Sequence, residues 1–308
     1  MIRQEFEHEI VRIWSDSLYD HQEVRKASNN RVRCLVRRRL KDLGYNVEET
    51  GEDKEEWKDE DLNDALCKAK EDGKISEEEA DILEDALSLA EQEEMIEKAY
   101  EKRVEPLIKE EPVFKYWLDY VRGISTRNTS RLLKYFGYCD TKDKEGKDLC
   151  PSISSLWKYA GLAPVNGKAE KRTKNHKLSY NLKIKTGILG VVADSLMKQS
   201  PSYKQIYDEY KARIMERGCC EALYQGKDAK KKGKPCKNFP GHAHRMALRK
   251  MAKLFLAHYW VVCRTLKEQP VSTPYSIGML KHEHHLQPLF DKKPNNEHKK
   301  VYEKFYVE

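Results

Sequence analysis

The pattern that most narrows the possible folds lies at the start of the chain. From Glu5 to Leu43 the apolar residues Phe6, Ile10, Ile13, Trp14, Leu18, Val24, Val32, Leu35, Val36, Leu40 and Leu43 recur at threes and fours, and Gly44 follows. That period lays one apolar stripe along a helix and glycine ends it, so the spacing predicts a single long amphipathic helix. Residues 46 to 62 read as an acidic surface loop entering a second helix near Asp59. A third helix is predicted from Glu77 to about Lys109, with Leu83, Leu87, Ala90, Ala99, Val104 and Leu107 as buried candidates.

The segment from Glu71 to Glu79 has the look of a calcium loop. Aligning Gly73 with the glycine of such a loop and Glu79 with its bidentate acid puts Lys68 and Lys70 where the first two carboxylates are needed, which excludes it. A helix-to-helix turn with a Ser76–Glu79 capping box accounts for the same residues. Two long helices flanking a short one predict an antiparallel hairpin or coiled coil over residues 1–111, a module that dimerises or spaces a binding domain. A homodimer is the expected assembly.

Charge divides the chain more sharply than its net value of +7 suggests. Residues 1–41 hold 10 Lys and Arg against 6 Asp and Glu, giving +4; residues 42–110 hold 9 against 26, giving −17; residues 111–308 hold 39 against 19, giving +20. A cationic C-terminal part steers polyanions, while the acidic middle repels them. In the first helix Arg25, Lys26, Arg31, Arg33, Arg37, Arg38 and Arg39 fit either a solvated face or a nucleic-acid contact. No apolar run approaches the roughly 18 residues that cross a bilayer, so no membrane partner is expected. The N-terminus has acids where a signal peptide needs an apolar stretch, and eight irregularly spaced cysteines do not form a disulfide framework. The expected location is cytoplasmic, associated with the nucleoid if the protein is cellular.

Pro112 ends the third helix and marks the expected boundary of a second domain, residues 112–268, before an irregular, partly disordered tail at 269–308. This domain opens with a short helix, Tyr116 to Val121, a tight turn at Arg122-Gly123-Ile124-Ser125, and an amphipathic helix from Thr126 to Phe136. Leu156 to Pro164 follows, and then a basic run containing Lys168, Lys171, Arg172, Lys174 and Lys177. A glycine turn lets backbone N–H groups at a helix start face a phosphate, and Arg122, Arg127 and Arg131 would add charge on that side. Ser125 replaces a second glycine there. An ordinary helical hairpin in a core is the competing reading. Such contacts position a backbone without reading sequence.

Three further helices are predicted. Asn181 to Lys198 turns Ile184, Ile188, Leu189, Val192 and Leu196 inward, and Tyr203 to Arg217 has Ile206, Tyr207, Tyr210 and Ile214 on one face. His242 to about Lys267 has an apolar side including Ala247, Met251, Leu254, Phe255, His258, Val261 and Val262, and a cationic side of Arg245, Arg249, Lys250 and Lys253. The loop Gly226–Lys237, with Lys230, Lys231 and Lys232, is either solvated or closes over a phosphate backbone. Cys220, Cys236, His242 and His244 could ligate a structural zinc, although adjacent Cys219 and Cys220 replace the usual Cys-x-x-Cys; free thiols beside a helix-capping segment are the alternative.

The central stretch resembles the C-terminal domain of the insertion-sequence 110/116/902 transposase family. The resemblance rests on Gly123-Ile124-Ser125, the box Tyr159-Ala160-Gly161-Leu162-Ala163-Pro164 and the basic run Lys168–Lys177, and spans roughly residues 113 to 267. It implies a helix-hairpin-helix domain that binds DNA, or structured RNA. The family's N-terminal RNase H-like domain with its acidic metal ligands has no counterpart in the first 112 residues. Where the family has a nucleophilic serine before a glycine, this chain has Val165-Asn166-Gly167. The expectation is therefore a mainly α protein, an N-terminal long-helix hairpin or coiled coil followed by an all-α helix-hairpin-helix domain. It binds nucleic acid without recombinase chemistry. An active recombinase using Ser179 or another hydroxyl with metal carboxylates from Asp119, Asp140 or a partner, and a structural protein-interaction module, are the two alternatives.

Overall fold

The structure is a computed structural model that describes residues 2–45, 59–140, 145–146, 150–165, 168–170, 178–217, 239–271 and 287–295. The protein is mainly α, and it forms two compact units, residues 1–105 and 106–308. Their division falls at Pro106, inside a helix, where the missing proline N–H interrupts the hydrogen-bond ladder.

In the first unit α1 (Ile2–Asp42) is the predicted long helix. Gly44, at φ 83°, turns the chain, and Tyr45 N–H closes back on Leu40 O at 3.0 Å, which satisfies a terminal carbonyl. α2 (Asp59–Glu71) begins at the expected acid, and α3 (Glu77–Glu110) follows. Val36 and Leu40 of α1, Leu62, Leu66 and Ala69 of α2, and Ile75, Ala80, Leu83 and Leu87 form one buried cluster. α1 and α3 run antiparallel: Arg39 meets Glu79 at 2.5 Å, Arg25 meets Glu97 at 2.7 Å, and the Trp14 and Tyr100 rings lie 5.4 Å apart.

The capping box is half made. Ser76 Oγ accepts Glu79 N–H at 3.1 Å, but the Glu79 carboxylate turns to the Arg39 guanidinium instead of returning to Ser76. Ala99, expected inside, is exposed; Glu97 is the buried residue at that level, held by Arg25 and Gln22. Arg25 and Arg39 of the basic face of α1 are thus engaged within the chain.

The second unit starts with α4 (Pro112–Tyr116), whose first residue is a proline. The predicted helix from Tyr116 to Val121 is replaced by the end of α4 and a 3-10 turn at Leu118–Tyr120. Trp117 leaves helical geometry between them, and its ring is buried against Phe255 at 5.4 Å. α5 (Thr126–Phe136) has the predicted bounds. α6 (Ile153–Tyr159) leads to a two-stranded antiparallel ladder of β1 (Pro164–Val165) and β2 (Lys168–Ala169), a short departure from an all-α domain.

α7 (Leu182–Gly187), a π turn (Ile188–Val192) and α8 (Ala193–Gln199) form the helix predicted over 181–198, with Ile184, Ile188, Val192 and Leu196 buried. α9 (Pro201–Arg217) and α10 (Phe239–Leu266) complete the unit. α10 is its axis and touches α4, α6, α8 and α9. Phe255, Tyr259 and Trp260 are buried along it, with Tyr259 donating to Gly137 O at 2.6 Å and Trp260 Nε1 to Cys150 O at 3.0 Å. Truncating one of these rings costs about 3–5 kcal/mol. His258, on the apolar side of α10, is 1% exposed with its Nδ1 2.7 Å from the Tyr203 hydroxyl.

Part of the tail expected to be disordered is fixed in place. Pro288 is buried, Trp117 Nε1 donates to Leu289 O at 3.1 Å, and Asp291 and Lys292 N–H groups donate to Tyr120 O at 3.0 and 3.1 Å. No secondary structure forms over 287–295; side-chain burial and backbone hydrogen bonds hold the segment.

Candidate nucleic-acid interface

The glycine turn has the geometry its sequence demands. Gly123 is at φ 87°, and a Cβ there would lie 2.7 Å from Ser195 O of α8. Only glycine admits both the left-handed backbone and this approach. Ser125 is the N-cap of α5: its hydroxyl accepts Asn128 N–H at 3.3 Å, so it does at a helix start what serine does well. Gly123 O accepts both Asn128 Nδ2 at 3.0 Å and Ser195 Oγ at 2.6 Å. Arg122 N–H donates to Asp291 Oδ2 at 2.9 Å, and Ser202 N–H at the start of α9 donates to Asp291 Oδ1 at 3.0 Å. A carboxylate of the chain itself therefore already occupies the Arg122 amide at this turn.

The three hairpin arginines diverge in environment. Arg122 has an exposed side chain and Arg127 is half-buried. Arg131 is 8% exposed, and its Cδ would lie 3.2 Å from a Cβ added at Gly187 of α7, so it lies across that helix inside the fold.

A denser arrangement of cations and aromatics forms around the box that follows α6. Gly161, at φ 68°, lies under the Tyr180 ring, and a Cβ there would come 2.5 Å from Tyr180 Cδ2. The next two carbonyls receive Arg249 of α10: Nη2 reaches Leu162 O at 2.8 Å and Ala163 O at 3.4 Å, and Nε reaches Leu162 O at 3.2 Å. Arg249 thus fixes the box to α10, and burial lowers its pKa against a partial offset from Tyr180.

One turn further along α10, the Lys253 ammonium stands 3.9 Å from the Trp157 ring centroid, while Trp157 Nε1 donates to Lys253 O at 2.8 Å. Burial first, then the like charges of Lys250 and Arg249, pull the Lys253 pKa down to about 8. Among the described residues no carboxylate pairs with Arg249, Lys250 or Lys253. Lys185 lies over Tyr180 at 4.5 Å and donates to its hydroxyl at 2.8 Å, adding a second cation–aromatic pair beside the box. Cations held together around aromatic faces without a counter-carboxylate form a site that an external anion relieves electrostatically.

Other sequence-selected residues have local partners. Ser179 Oγ donates to Glu170 Oε2 at 2.5 Å, and Ser179 N–H to Glu170 Oε1 at 2.9 Å. Asp119 lies 3.9 Å from Lys292, and Asp140 accepts Tyr138 N–H at 3.2 Å. His242 and His244 lie in the first turns of α10, and His244 Nδ1 is 2.7 Å from the Tyr207 hydroxyl. Among the described residues no group of His, Cys, Asp and Glu could hold a metal ion. Cys220, Cys236, Lys171, Arg172, Lys174, Lys177, Lys230, Lys231 and Lys232 lie outside the described residues. Lys168 is placed by its backbone, in β2.

Trp157, Tyr180 and Lys185 were not selected as site residues from sequence, nor was Asp291. Trp157 could have been found from its place inside the Leu156–Pro164 segment, three residues before Ala160, and Lys253 from its spacing of four after Arg249. Asp291 has no such signal. No helix among the described residues is long and apolar enough to cross a membrane. No family model, curated protein or solved structure matches the chain.

Proposed function

We propose that the C-terminal unit binds the phosphate backbone of a nucleic acid, DNA in the first instance and structured RNA by the same chemistry. The observation that carries this reading is the α10 cluster, in which Lys253 stacks on Trp157 with Arg249 one turn away and the exposed Lys250 between them in sequence, and no carboxylate among the described residues pairs with any of the three. Desolvated like charges oppose folding, and a polyanion removes that penalty while releasing its own counterions. Trp157 supplies a flat ring beside the cations that tolerates any base, so the site favours a backbone with an accessible base over a read sequence. The net +20 over residues 111–308 brings the polyanion in.

The transposase resemblance agrees with binding and leaves the chemistry unsupplied, since Asn166 stands where a nucleophilic hydroxyl is needed. Filter binding of single- and double-stranded DNA and RNA across a salt series tests the reading. Affinity should fall steeply with salt for at least one of these; salt-independent or undetectable binding to all of them rejects it. Metal-dependent strand cleavage or transfer by the native chain, lost in Ser179→Ala, would favour the active recombinase instead.

A further inference from the structure

The N-terminal unit leaves large apolar side chains of both long helices in water. Leu35 is 53% exposed and Val24 48%, on α1; Ile82 is 62% exposed and Ile96 39%, on α3. Eleven residues separate Val24 from Leu35 and fourteen separate Ile82 from Ile96. At about 100° per residue each pair falls within about 40° of one face of its helix.

The inter-helix contacts place these residues at matching levels. Leu35 stands one turn before Arg39, and Ile82 one turn beyond Glu79 on the antiparallel α3, so both lie on the same side of the Arg39–Glu79 bridge along the axis. Val24 and Ile96 directly precede Arg25 and Glu97, the other bridge. Around each helix the same rotational order recurs. On α1 the buried Val36 and Leu40 are followed by Arg39 and then Leu35; on α3 the buried Leu83 and Leu87 are followed by Glu79 and then Ile82. Because the helices are antiparallel, this shared order puts the exposed residues on one side of the pair. Two apolar layers about 16–21 Å apart result, from a rise of about 1.5 Å per residue.

The charges flanking the first layer are opposite on the two helices. Exposed Arg31 and Arg38 lie four residues before and three after Leu35, and exposed Glu78 and Asp85 lie four before and three after Ile82, an order that the antiparallel run of the helices reverses along the axis. The Asp85 carbonyl accepts the Ser88 hydroxyl at 2.8 Å, but none of the four charged side chains is paired among the described residues. A surface with a cationic edge and an anionic edge around an apolar centre is complementary to itself under a two-fold rotation.

We propose that this face is the interface with a second copy of the chain. In the pairing, α1 of one copy lies antiparallel on α3 of the other: Leu35 packs on Ile82, Arg31 faces Asp85 and Arg38 faces Glu78 across the two-fold axis. The apolar layers supply the burial and the edge charges set the register.

Sedimentation equilibrium of the full chain, treated with nuclease, tests this directly. The native chain should be a dimer. Arg38→Glu and Glu78→Arg should each shift it toward monomer by at least about tenfold in dissociation constant, a change of about 1.4 kcal/mol, and the double variant should recover the dimer. Leu35→Gln with Ile82→Gln should give monomer with unchanged helical circular dichroism, which separates a lost interface from a lost fold. A monomeric native chain, or single charge reversals that leave the dimer intact, overturns the proposal. Failure of the double reversal to restore association overturns this pairing as well.

Discussion

The Asp291 carboxylate accepts the Arg122 backbone N–H at 2.9 Å, joining a tail residue to the glycine turn 169 positions earlier. Its other oxygen takes Ser202 N–H at 3.0 Å at the start of α9, where a negative charge is favoured by the helix dipole. One carboxylate thus ties together the hairpin, a helix N-terminus and the tail. Asp291→Ala should cost about 1–3 kcal/mol by leaving charge-assisted hydrogen bonds unmade, and Asp291→Asn, which retains an acceptor, should cost less. Urea titration reads the stability, and limited proteolysis should cut the tail faster in Asp291→Ala. Equal stability of all three chains would rule out this role.

Gly123 and Gly161 should respond differently to the same repair. Both have positive φ, so alanine at either is strained. At Gly161 the added carbon meets the Tyr180 ring, which a second substitution can remove; at Gly123 it meets the Ser195 backbone. Gly161→Ala should therefore be partly rescued by Tyr180→Ala, while no side-chain deletion at Ser195 should rescue Gly123→Ala. A double-mutant cycle on thermal unfolding distinguishes the two, and equal additivity at both sites would contradict the contacts.

Ser76 and Glu79 should contribute unequally to the start of α3. Ser76→Ala removes the accepted Glu79 N–H bond and should cost about 1 kcal/mol. Glu79 is solvent-accessible, and its carboxylate pKa is lowered chiefly by hydrogen bonding to Arg39. The stabilisation it gives is present above its ordinary pKa of 4.5 and is lost as pH falls through the lower, folded value. Glu79→Gln should lower stability at neutral pH, leave it little changed at low pH, and so abolish that part of the acid dependence. An unchanged acid limb in the pH–stability curve would contradict the Arg39 pairing.

Lys253 should make polyanion binding sensitive to mildly alkaline pH. Its pKa is about 8 in the folded chain against an ordinary value of 10.5, so between these the unfolded chain holds the extra proton and folding stability rises with pH. Binding has the opposite sign: as pH rises through about 8 the ammonium is lost and affinity falls. Lys253→Arg should keep its charge and flatten the affinity profile over about one pH unit either side of 8. A profile that is the same in both chains would show that Lys253 does not meet the polyanion.

Much of the architecture was legible in the sequence because it rests on local rules. The period of apolar residues and the Gly44 stop located α1, and the Gly123 turn placed the start of α5. The site was less legible because charge counting does not say where a cation points. Arg131 reads as a surface contact yet lies inside against Gly187, and Arg249 spends its hydrogen bonds on the Leu162 and Ala163 carbonyls. The Trp157–Lys253 stack joins residues 96 positions apart, and Asp291 reaches Arg122 across most of the domain. Neither pairing has a periodic or motif signature, since both depend on how α6, α10 and the tail pack.

The most direct test of polyanion binding at the α10 cluster is the slope of log affinity against log salt for the native chain and for Lys250→Gln with Lys253→Gln. The double variant should bind more weakly and lose about one to two units of slope, roughly 0.9 for each duplex phosphate contact removed. Trp157→Ala should lower affinity with the slope preserved, since stacking releases no counterions. A double variant with native affinity and native slope would contradict binding at this cluster.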